Sequence, residues 1–463
     1  MPRFTMRTVC AVFVLIGLSY AQQSTPDFAK AQAEGIKFLS ELVKIDTSNP
    51  PGNETRAAEY IKGVLAAEGI PAQIYESAPG RGNVVARLKG NGKKKPILLL
   101  GHLDVVGVER DKWTVDPFAA IIKDGYLYGR GSTDDKAMDA ANLEVLLLLH
   151  RLKVPLDRDV ILLAEAGEEG TPEFGIDFMI AKHWDEIACE YALNEGGTTP
   201  EENGKVLYVG VSTTEKVPRS LILKSHGSSG HGSAPRMDNA ITHLAAAVAK
   251  VGNWEAPMRL NETTRRFFQQ LAQISQPEKA ELYRHVEEPS AQRRLHETEP
   301  AYYSMLRTSL VPTIIKGGFR VNVIPADAEA TLDVRALPDE NMEALKASLA
   351  KLIDDPAVEV ISAPNNLRPA TPPSGLQTDA FHALEIAQRK VFPGALTIPI
   401  MQVGATDSSE LRAEGVQAYG IAEVATRDDQ KRIHGNDERI QIAGFGKFVQ
   451  LLYTATVEIA GAK

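Results

Sequence analysis

Two residues that could bind and orient a metal ion follow an apolar segment near residue 100. His102 and Asp104 come directly after the apolar run 97–100 and Gly101. At a strand end, side chains two positions apart point the same way. The imidazole could therefore bind a metal while the carboxylate holds its second ring nitrogen. Alone, the pair is a weak signal, because a structural histidine would show the same spacing.

Three further carboxylates lie in similar positions. Asp134 ends a glycine-bounded turn, and glycines let a backbone turn sharply beside a helix start. A helix N-cap is the alternative role for this aspartate. Glu168 and Glu169 follow the apolar run 160–164. Adjacent carboxylates repel each other unless a positive charge lies beside them. Because neighbouring side chains in a strand or loop point in different directions, one could bind a metal while the other faces a bound water molecule.

Glu195 and His434 complete a set that could serve two metal ions. Glu195 again follows an apolar run, whereas His434 lies near the end of the chain. Two histidines and three carboxylates can supply two ions that share a bridge, and two ions about 3.5–4 Å apart can hold a water molecule and a carbonyl oxygen. Because a metal lowers the pKa of bound water to roughly 7, a single glutamate suffices to accept its proton. The pattern therefore predicts metal-assisted hydrolysis.

The elements that must position these residues follow the pattern of an α/β protein. Hydrophobic periodicity predicts strands that alternate with helices. The predicted helices span 28–43, 54–69 and 136–153, and the predicted strands span 73–76, 83–88, 97–100, 160–164 and 191–193. Near-continuous apolar strands indicate a sheet covered on both faces. The candidate ligands then stand at the carboxyl edge of that sheet, where α/β proteins bind their ligands.

The length of 463 residues predicts two domains. After about residue 214 the pattern changes to strand, helix, strand, strand, helix and strand, the order of a split βαβ unit. One strand of this region is predicted at 319–324. We therefore expect a catalytic domain at 22–215 and 365–463, interrupted by an inserted α+β domain at 216–364. A Pro-rich segment, 365–373, would return the chain to the first domain. Residues 253–313 are polar and helix-prone, and their role stays open.

Net charge and the N-terminal residues predict the binding partners and the cellular location. The net charge of −9 argues against a nucleic-acid partner, because phosphate binding needs a basic surface. Residues 1–21 are predicted to be a secretory signal peptide: Arg3 and Arg7 precede an apolar run and a small-residue cleavage pattern. The run is shorter than the ~20 apolar residues that cross a bilayer, so no membrane span is expected after cleavage. The protein is thus expected in the periplasm or outside the cell.

Six motifs, in order along almost the whole mature chain, resemble those of the M20 family of metallopeptidases. They are Gly101-His102-Leu103-Asp104-Val105-Val106, the block 129–136, Glu168-Glu169, Asn194-Glu195-Gly196-Gly197, Gly230-His231-Gly232-Ser233-Ala234-Pro235 and His434-Gly435. The form of the fourth motif and the long segment 253–313 are most similar to the carboxypeptidase S and N-acyl-amino-acid hydrolase branch. The resemblance implies a zinc-exopeptidase-like α/β domain, with a mixed sheet between helices, and an inserted α+β (split βαβ) lid or dimerisation domain.

The resemblance also implies two Zn²⁺ ions per chain, and Co²⁺ or Mn²⁺ would suit the same ligands. Asp134 would bridge them, His102 and Glu195 would complete one site, and Glu169 and His434 the other. This chain has Asn194 where relatives often have aspartate before the Glu195 position. An amide is a poor zinc ligand beside an available carboxylate, so Glu195 is the predicted ligand.

The remaining roles are implied in the same way. Asp104 would orient His102, and Glu168 would be the general base that passes a proton to the leaving amine. His231 would stabilise the developing oxyanion, reaching into the partner's active site in a homodimer formed through the inserted domain.

Three further residues match substrate-binding positions of the family: Asn322, Arg335 and Gly404. Arg335 could hold a carboxylate through two hydrogen bonds, and Gly404 lies in a loop that lines the substrate pocket. Turn, strand-edge and surface-pair roles are the alternatives for His231, Asn322 and Arg335.

The function expected from this set is hydrolysis of an amide bond next to a free carboxylate. The substrate would be a small peptide with a free C-terminus or an N-acyl amino acid. A dipeptidase of the same family is the nearest alternative. A non-catalytic relative that binds peptide would show a gap in the set of metal ligands and base, and the sequence shows none. A metal carrier would have no use for Glu168, His231 or Arg335.

Overall fold

The computed structural model describes residues 25–364 and 368–462. The predicted signal peptide, 1–21, lies outside the described residues, as do 365–367 of the predicted return linker. The helices are α1 Phe28–Val43, α2 Glu54–Ala67, α3 Lys136–Arg151, α4 Ile176–Ile187, α5 Ala240–Gly252, α6 Glu262–Ile274, α7 Pro277–Arg284, α8 Pro289–Thr298, α9 Pro300–Ser304, α10 Met342–Ile353, α11 Asp379–Val391, α12 Ser408–Ala413, α13 Arg427–Gln430 and α14 Ile442–Ala460. Within the described part of the chain, no helix is both long and apolar enough to cross a membrane.

The strands form two main sheets and three small ones. They are β1 Ala72–Ala78, β2 Arg81–Leu88, β3 Ile97–His102, β4 Ile121–Lys123, β5 Tyr126–Tyr128, β6 Val160–Glu165, β7 Tyr191–Asn194, β8 Thr199–Glu202, β9 Lys205–Val206, β10 Val209–Glu215, β11 Val217–Pro218, β12 Leu221–His226, β13 Gly230–His231, β14 Ser309–Gly317, β15 Val323–Ile324, β16 Asp327–Ala336, β17 Val358–Ser362, β18 Thr397–Gln402, β19 Gln417–Gly420, β20 Val424–Thr426 and β21 Arg439–Gln441.

The large sheet has eight strands in the order β1-β2-β6-β3-β7-β19-β10-β18. Its central strands β6, β3, β7 and β19 are parallel, whereas β1, β2 and β10 add antiparallel neighbours. This is the mixed sheet that was predicted. Because β6, β3 and β7 run the same way side by side, the residues that follow them emerge at one edge.

The apolar runs of the large sheet are buried on both faces, as predicted. In β3, Ile97 and Leu99 pack into one hydrophobic cluster with α1, α3 and α14, while Leu98 and Leu100 pack into another with α4 and α12. Alternate side chains of a strand point to opposite faces, so a strand between two helix layers must be apolar at every position. The apolar run is thereby explained, and it ends where the site begins.

The second sheet has five antiparallel strands, with β16 between β14 on one side and β11 and β12 on the other, and β17 next to β12. Helices α5 and α10 pack on it through a separate hydrophobic cluster. The chain order β12, α5, β14, β16, α10, β17 is the split βαβ order that was predicted. A strand predicted at 319–324 is reduced to β15, because Gly318 adopts a positive φ of 71° and the chain turns there.

Helices α6 to α9, within the segment whose role stayed open, pack on the large sheet. Phe267, Phe268 and Leu271 of α6 share a hydrophobic cluster with Ile398 and Met401 of β18. Tyr302, from α9, joins the same cluster, and its ring contacts Phe267 edge-on with 5.0 Å between centroids. These helices therefore cover the edge strand of the large sheet instead of extending the core of the small one.

Candidate active site and metal centre

The candidate ligands meet at the carboxyl edge of the large sheet. His102 is the last residue of β3, Glu168 and Glu169 lie in the turn after β6, and Glu195 directly follows β7. Asp134 is delivered by the turn between β5 and α3. That turn needs Gly131 in a positive-φ conformation (81°), and a Cβ there would come within 2.7 Å of Val105.

Asp134 lies between the two histidines. Its Oδ1 is 3.1 Å from Nε2 of His102, and its Oδ2 is 3.1 Å from Nε2 of His434. Glu169 approaches the second histidine, with Oε1 at 2.9 Å from Nε2 of His434. Each oxygen of Asp134 thus faces one imidazole, which is the arrangement expected of a bridging carboxylate.

Three overlapping groups of side chains could hold a metal ion, with ligand atoms within 4.8 Å of one another. They are His102–Asp134–Glu195, Asp134–Glu169–His434 and His102–Glu168–Glu169. The first two are the ligand sets predicted for the two metals, and they share Asp134. Asn194, the neighbour of Glu195, instead donates its side-chain amide to the hydroxyl of Ser408 over 3.1 Å.

The electrostatics of this cluster fit cations. Burial raises the pKa of Glu195 well above its ordinary value, and the charges of Asp134 and Glu168 raise it further. Conversely, hydrogen bonds to Asp134 and Glu169 raise the pKa of His434 to about 10. The surrounding carboxylates therefore favour positive charge at the centre, and imidazole and carboxylate ligands suit zinc.

Asp104 is placed to orient both His102 and the glutamate turn. Its Oδ1 lies 3.4 Å from Nδ1 of His102, whose Nδ1 also lies 3.0 Å from the backbone oxygen of Asp104. The two carboxylate oxygens accept hydrogen bonds from the backbone nitrogens of Glu168 and Glu169, each over 3.1 Å. Burial alone would raise the pKa of Asp104, but these contacts hold that pKa below its ordinary value.

Two groups of residues that support the site were missed at the sequence level. Asn49, in the loop between α1 and α2, donates its side-chain amide to Oδ2 of Asp104 over 2.8 Å. Glu438 accepts hydrogen bonds from Arg130 over 2.5 Å and from the backbone of Thr133 over 2.8 Å. The carboxylate four residues after His434 was a usable signal, but nothing in the sequence indicated which turn it would hold.

Glu168 contacts a third residue that the sequence did not single out. Arg368 donates to Oε1 of Glu168 over 2.7 Å. Burial raises the pKa of Glu168 well above its ordinary value, although the charge of Arg368 acts in the opposite direction. A buried carboxyl whose pKa is raised in this way is suited to accept and release a proton.

The predicted residues of the inserted segment lie apart from this cluster. His231 and Asn322 are neighbours: β13 pairs with β15, and Gly232 donates to the backbone oxygen of Asn322 over 2.9 Å. Both are exposed. Arg335, on β16, donates to Asp333 over 3.0 Å. Within the described residues, no hydrogen bond or ion pair joins His231, Asn322 or Arg335 to the metal cluster.

The loop that contains Gly404 does reach the site. Thr406 donates its backbone nitrogen to Glu215 over 2.9 Å. A Cβ on Gly196, beside Glu195, would lie 3.2 Å from the methyl group of Thr406. Asp407 accepts a hydrogen bond from Arg368, the partner of Glu168. The loop therefore borders the candidate base and the Glu195 ligand.

Comparison with known proteins gives consistent results. The model of "Peptidase family M20/M25/M40" matches residues 98–458. The chain is 31% identical over 374 residues to "Probable carboxypeptidase S-like 2" of Dictyostelium discoideum, covering 78% of this chain and 70% of that protein. It is 28% identical over 446 residues to the human "N-fatty-acyl-amino acid synthase/hydrolase PM20D1", covering 91% and 86%.

A solved structure matches the fold over nearly the whole chain. The M20 family metallo-carboxypeptidase Sso-CP2 from Sulfolobus solfataricus superposes with a TM-score of 0.68 at 19% identity, covering 92% of this chain and 99% of that one. At this identity the likeness shows the fold, which combines a large mixed sheet with a smaller α+β unit.

Proposed function

The chain belongs to peptidase family M20/M25/M40 and is an M20-type metallopeptidase or amidohydrolase, and we propose that it hydrolyses an amide bond next to a free carboxylate with two zinc ions. The observation that carries the proposal is Asp134 between His102 and His434, 3.1 Å from each, with Glu168 beside the same cluster. His102, Asp134 and Glu195 would hold one ion, and Asp134, Glu169 and His434 the other.

The residues of the chain divide the work. When bound, the ions would supply Lewis acidity, which makes water acidic near neutral pH and polarises a carbonyl oxygen. Glu168 accepts the proton of the attacking water and delivers it to the leaving nitrogen. Asp104 keeps His102 and the turn of Glu168 in fixed relative positions through the contacts described above. Burial of Glu168 matches its task, because the proton must be both taken up and released.

The substrate class follows from the branch of the family. The names of the two relatives support N-acyl amino acids and peptides with a free C-terminus. Arg335 would exchange its ion pair with Asp333 for one with the substrate carboxylate. Asn322 would bind the substrate close to that carboxylate. Arg335 lies on β16 of the smaller sheet and Asn322 in the turn before β15, so substrate must bridge residues 216–364 and the metal cluster. We therefore propose that residues 216–364 include a lid that brings these groups to the cluster.

A homodimer formed through the smaller sheet is part of the proposal. Strand β14 is an edge strand, and Val311, Ile314 and Ile315 on it are about half exposed or more. Phe319 and Val321, in the following turn, are 84% and 103% exposed. An uncovered apolar edge favours pairing with another chain. His231, which lies apart from the cluster in its own chain, would then serve the partner's active site.

Export is a separate proposal that rests on the sequence of residues 1–21. Cell fractionation combined with N-terminal sequencing of the mature protein tests it. Processing after Ala21 and recovery from the periplasm or the medium would support export, whereas an unprocessed chain in the cytoplasm would contradict it.

The test of function is a hydrolysis screen of the zinc-loaded protein. Substrates are dipeptides, longer peptides with free and amidated C-termini, and N-acetyl and N-oleoyl amino acids. We expect turnover only where the carboxylate is free, and a loss of at least about 100-fold in Glu168→Gln, since general-base catalysis contributes about 10²–10⁴. Activity restricted to dipeptides would identify a dipeptidase. Full activity of the Glu168→Gln variant would refute the mechanism.

A further inference from the structure

The guanidinium of Arg368 donates hydrogen bonds to both the side chain and the main chain of the candidate general base, Glu168. Its Nη2 donates to Oε1 of Glu168 over 2.7 Å and to the backbone oxygen of the same residue over 3.2 Å. Its Nη1 donates to Asp407 and, over 3.0 Å, to Glu410. One planar guanidinium thus ties the turn after β6 to the start of α12.

We propose that Arg368 is a positioning residue for the hydrolytic reaction, holding Glu168 with Oε1 occupied and Oε2 free to accept a proton. The inference rests on the proposed function, because it takes Glu168 as the general base. Within the part of the chain that the structure describes, no hydrogen bond occupies Oε2 of Glu168. An occupied oxygen and a free one give the carboxylate a single defined orientation.

The ion pair between Arg368 and Glu168 is largely shielded from solvent. The side chains of Arg368 and Glu168 are each 10% exposed, and those of Asp407 and Glu410 are less exposed still. Bulk salt therefore screens the pair little. Among the described residues, Arg368 is the one basic side chain in ion-pair contact with Glu168. The other charged groups that act on Glu168 include Asp407, Glu169 and His102, so without Arg368 the repulsion between carboxylates would move its side chain.

The carboxylates on the far side of the guanidinium explain why arginine is needed. Asp407 and Glu410 hold Nη1 while Glu168 holds Nη2, so the plane of the group is fixed from two sides. A lysine carries a single nitrogen that cannot reach both sides in the same geometry. The arrangement therefore predicts that charge alone is insufficient and that Arg368→Lys is only partly active.

The experiment compares Arg368→Met and Arg368→Lys with wild type, using the amide that the screen finds fastest. For Arg368→Met we expect kcat to fall about 100-fold while KM changes less than about 3-fold, because the base, not substrate binding, is disturbed. Arg368→Lys should lie between the two. A kcat of Arg368→Met within about 3-fold of wild type would overturn the proposal.

Arg158 provides a matched control for the loss of a buried arginine. It precedes β6, whereas Glu168 follows that strand, and it is 2% exposed and paired with Glu190. Arg158→Met should lower the melting temperature but leave kcat within about 3-fold of wild type. An equal loss of kcat in Arg158→Met would mean that Arg368 acts through general stability, which would overturn the positioning role.

A double variant tests whether Arg368 acts through Glu168. If it does, Arg368→Met should slow the Glu168→Gln enzyme by less than about 3-fold, because the side chain to be positioned is gone. An undiminished loss in the double variant would refute the inference. The proposed function has a different refuting result, which is full activity of the single variant Glu168→Gln.

Two readouts do not depend on turnover. Zinc content of Arg368→Met should match wild type, which separates positioning from metal loss. A crystal structure of that variant should show Glu168 displaced or split between conformers, and an unmoved Glu168 would overturn the proposal. If Arg368→Met does not fold, the variant Arg368→Met/Asp407→Asn/Glu410→Gln removes the unpaired charges and is measured in the same way.

Discussion

The backbone nitrogen of Asp134 donates a hydrogen bond over 3.1 Å to the side chain of Glu438, a residue 304 positions later. The same carboxylate accepts bonds from Gly131 and Thr133, so it spans the whole turn. It also accepts a hydrogen bond from one terminal nitrogen of Arg130. The other terminal nitrogen of Arg130 donates to the backbone oxygen of Gly435 over 2.8 Å. The turn that supplies the bridging ligand and the loop that supplies His434 are therefore fastened together.

Glu438→Gln should weaken metal binding, because an amide can accept fewer of these bonds and leaves Arg130 without its charge partner. Residues that support metal ligands typically change metal affinity by about 10–100-fold. Competition with a chromophoric chelator measures this affinity. Glu190→Gln, which removes the partner of Arg158 away from the site, is the control and should bind zinc as wild type does.

Asp134→Asn and His434→Ala should differ in metal stoichiometry. Asp134 contacts both histidines, whereas His434 contacts Asp134 and Glu169 alone among the candidate ligands. The aspartate variant should therefore lose both ions, and the histidine variant only one. Elemental analysis of dialysed protein gives the count. Equal losses in the two variants would contradict a bridging role for Asp134.

Removal of zinc should destabilise the protein, and Glu195→Gln should reverse part of that loss. Metal that binds only the native state raises its stability by mass action. Without metal, the half-buried Glu195 faces Asp134 and Glu168, and its raised pKa marks the free-energy cost of its negative charge. We expect the variant to melt above wild type in a chelator but below it in excess zinc. A lower melting temperature in both conditions would refute this account.

Glu144 should make stability fall as the pH rises. It is fully buried on α3 without a hydrogen-bond partner for either carboxyl oxygen among the described residues. Burial, followed by the charge of Glu34, raises the pKa of Glu144 to about 8 from 4.5. The folded state therefore holds a proton that the unfolded chain releases, and this contribution to stability is lost between about pH 4.5 and 8.

The check is Glu144→Gln, which cannot ionise. We compare the variant with wild type through the difference between their free energies of unfolding. This difference should be more favourable to the variant at pH 8.5 than at pH 5, by on the order of 2 kcal/mol, since one pKa unit corresponds to about 1.4 kcal/mol. Denaturant titrations at the two pH values measure it. If the free energies of unfolding of variant and wild type changed in parallel with pH, ionisation of Glu144 would not destabilise the folded protein.

The sequence predicted the parts of the site that follow from strand ends. Apolar runs end where His102, Glu169 and Glu195 begin, and three neighbouring parallel strands bring those residues together. The sequence could not identify Arg368 or Glu438 as part of the site. Their roles depend on contacts across 200 and more than 300 residues. Glu438 lies four residues after His434, but that spacing does not indicate which turn its carboxylate holds.

The packing of helices α6 to α9 was also beyond the sequence. Their apolar residues predict amphipathic helices but do not specify which sheet they cover. The choice of β18 depends on Ile398 and Met401, which lie nearly a hundred residues after α9 and more than a hundred after α6. In the same way, exposed Phe319 and Val321 read as strand residues in the sequence, because apolar composition alone does not distinguish an exposed turn from a buried strand.

The strand order of the large sheet has a consequence for folding. Strand β19 (Gln417–Gly420) lies between β7 and β10, so once β18 has been made and paired with β10, the large sheet still has an empty slot between β7 and β10. Until the final fifty or so residues are synthesised, the slot leaves two strand edges unpaired, and such edges promote aggregation. Contacts across so long a stretch of chain also slow folding. This protein should thus depend on protection by chaperones until synthesis is nearly complete.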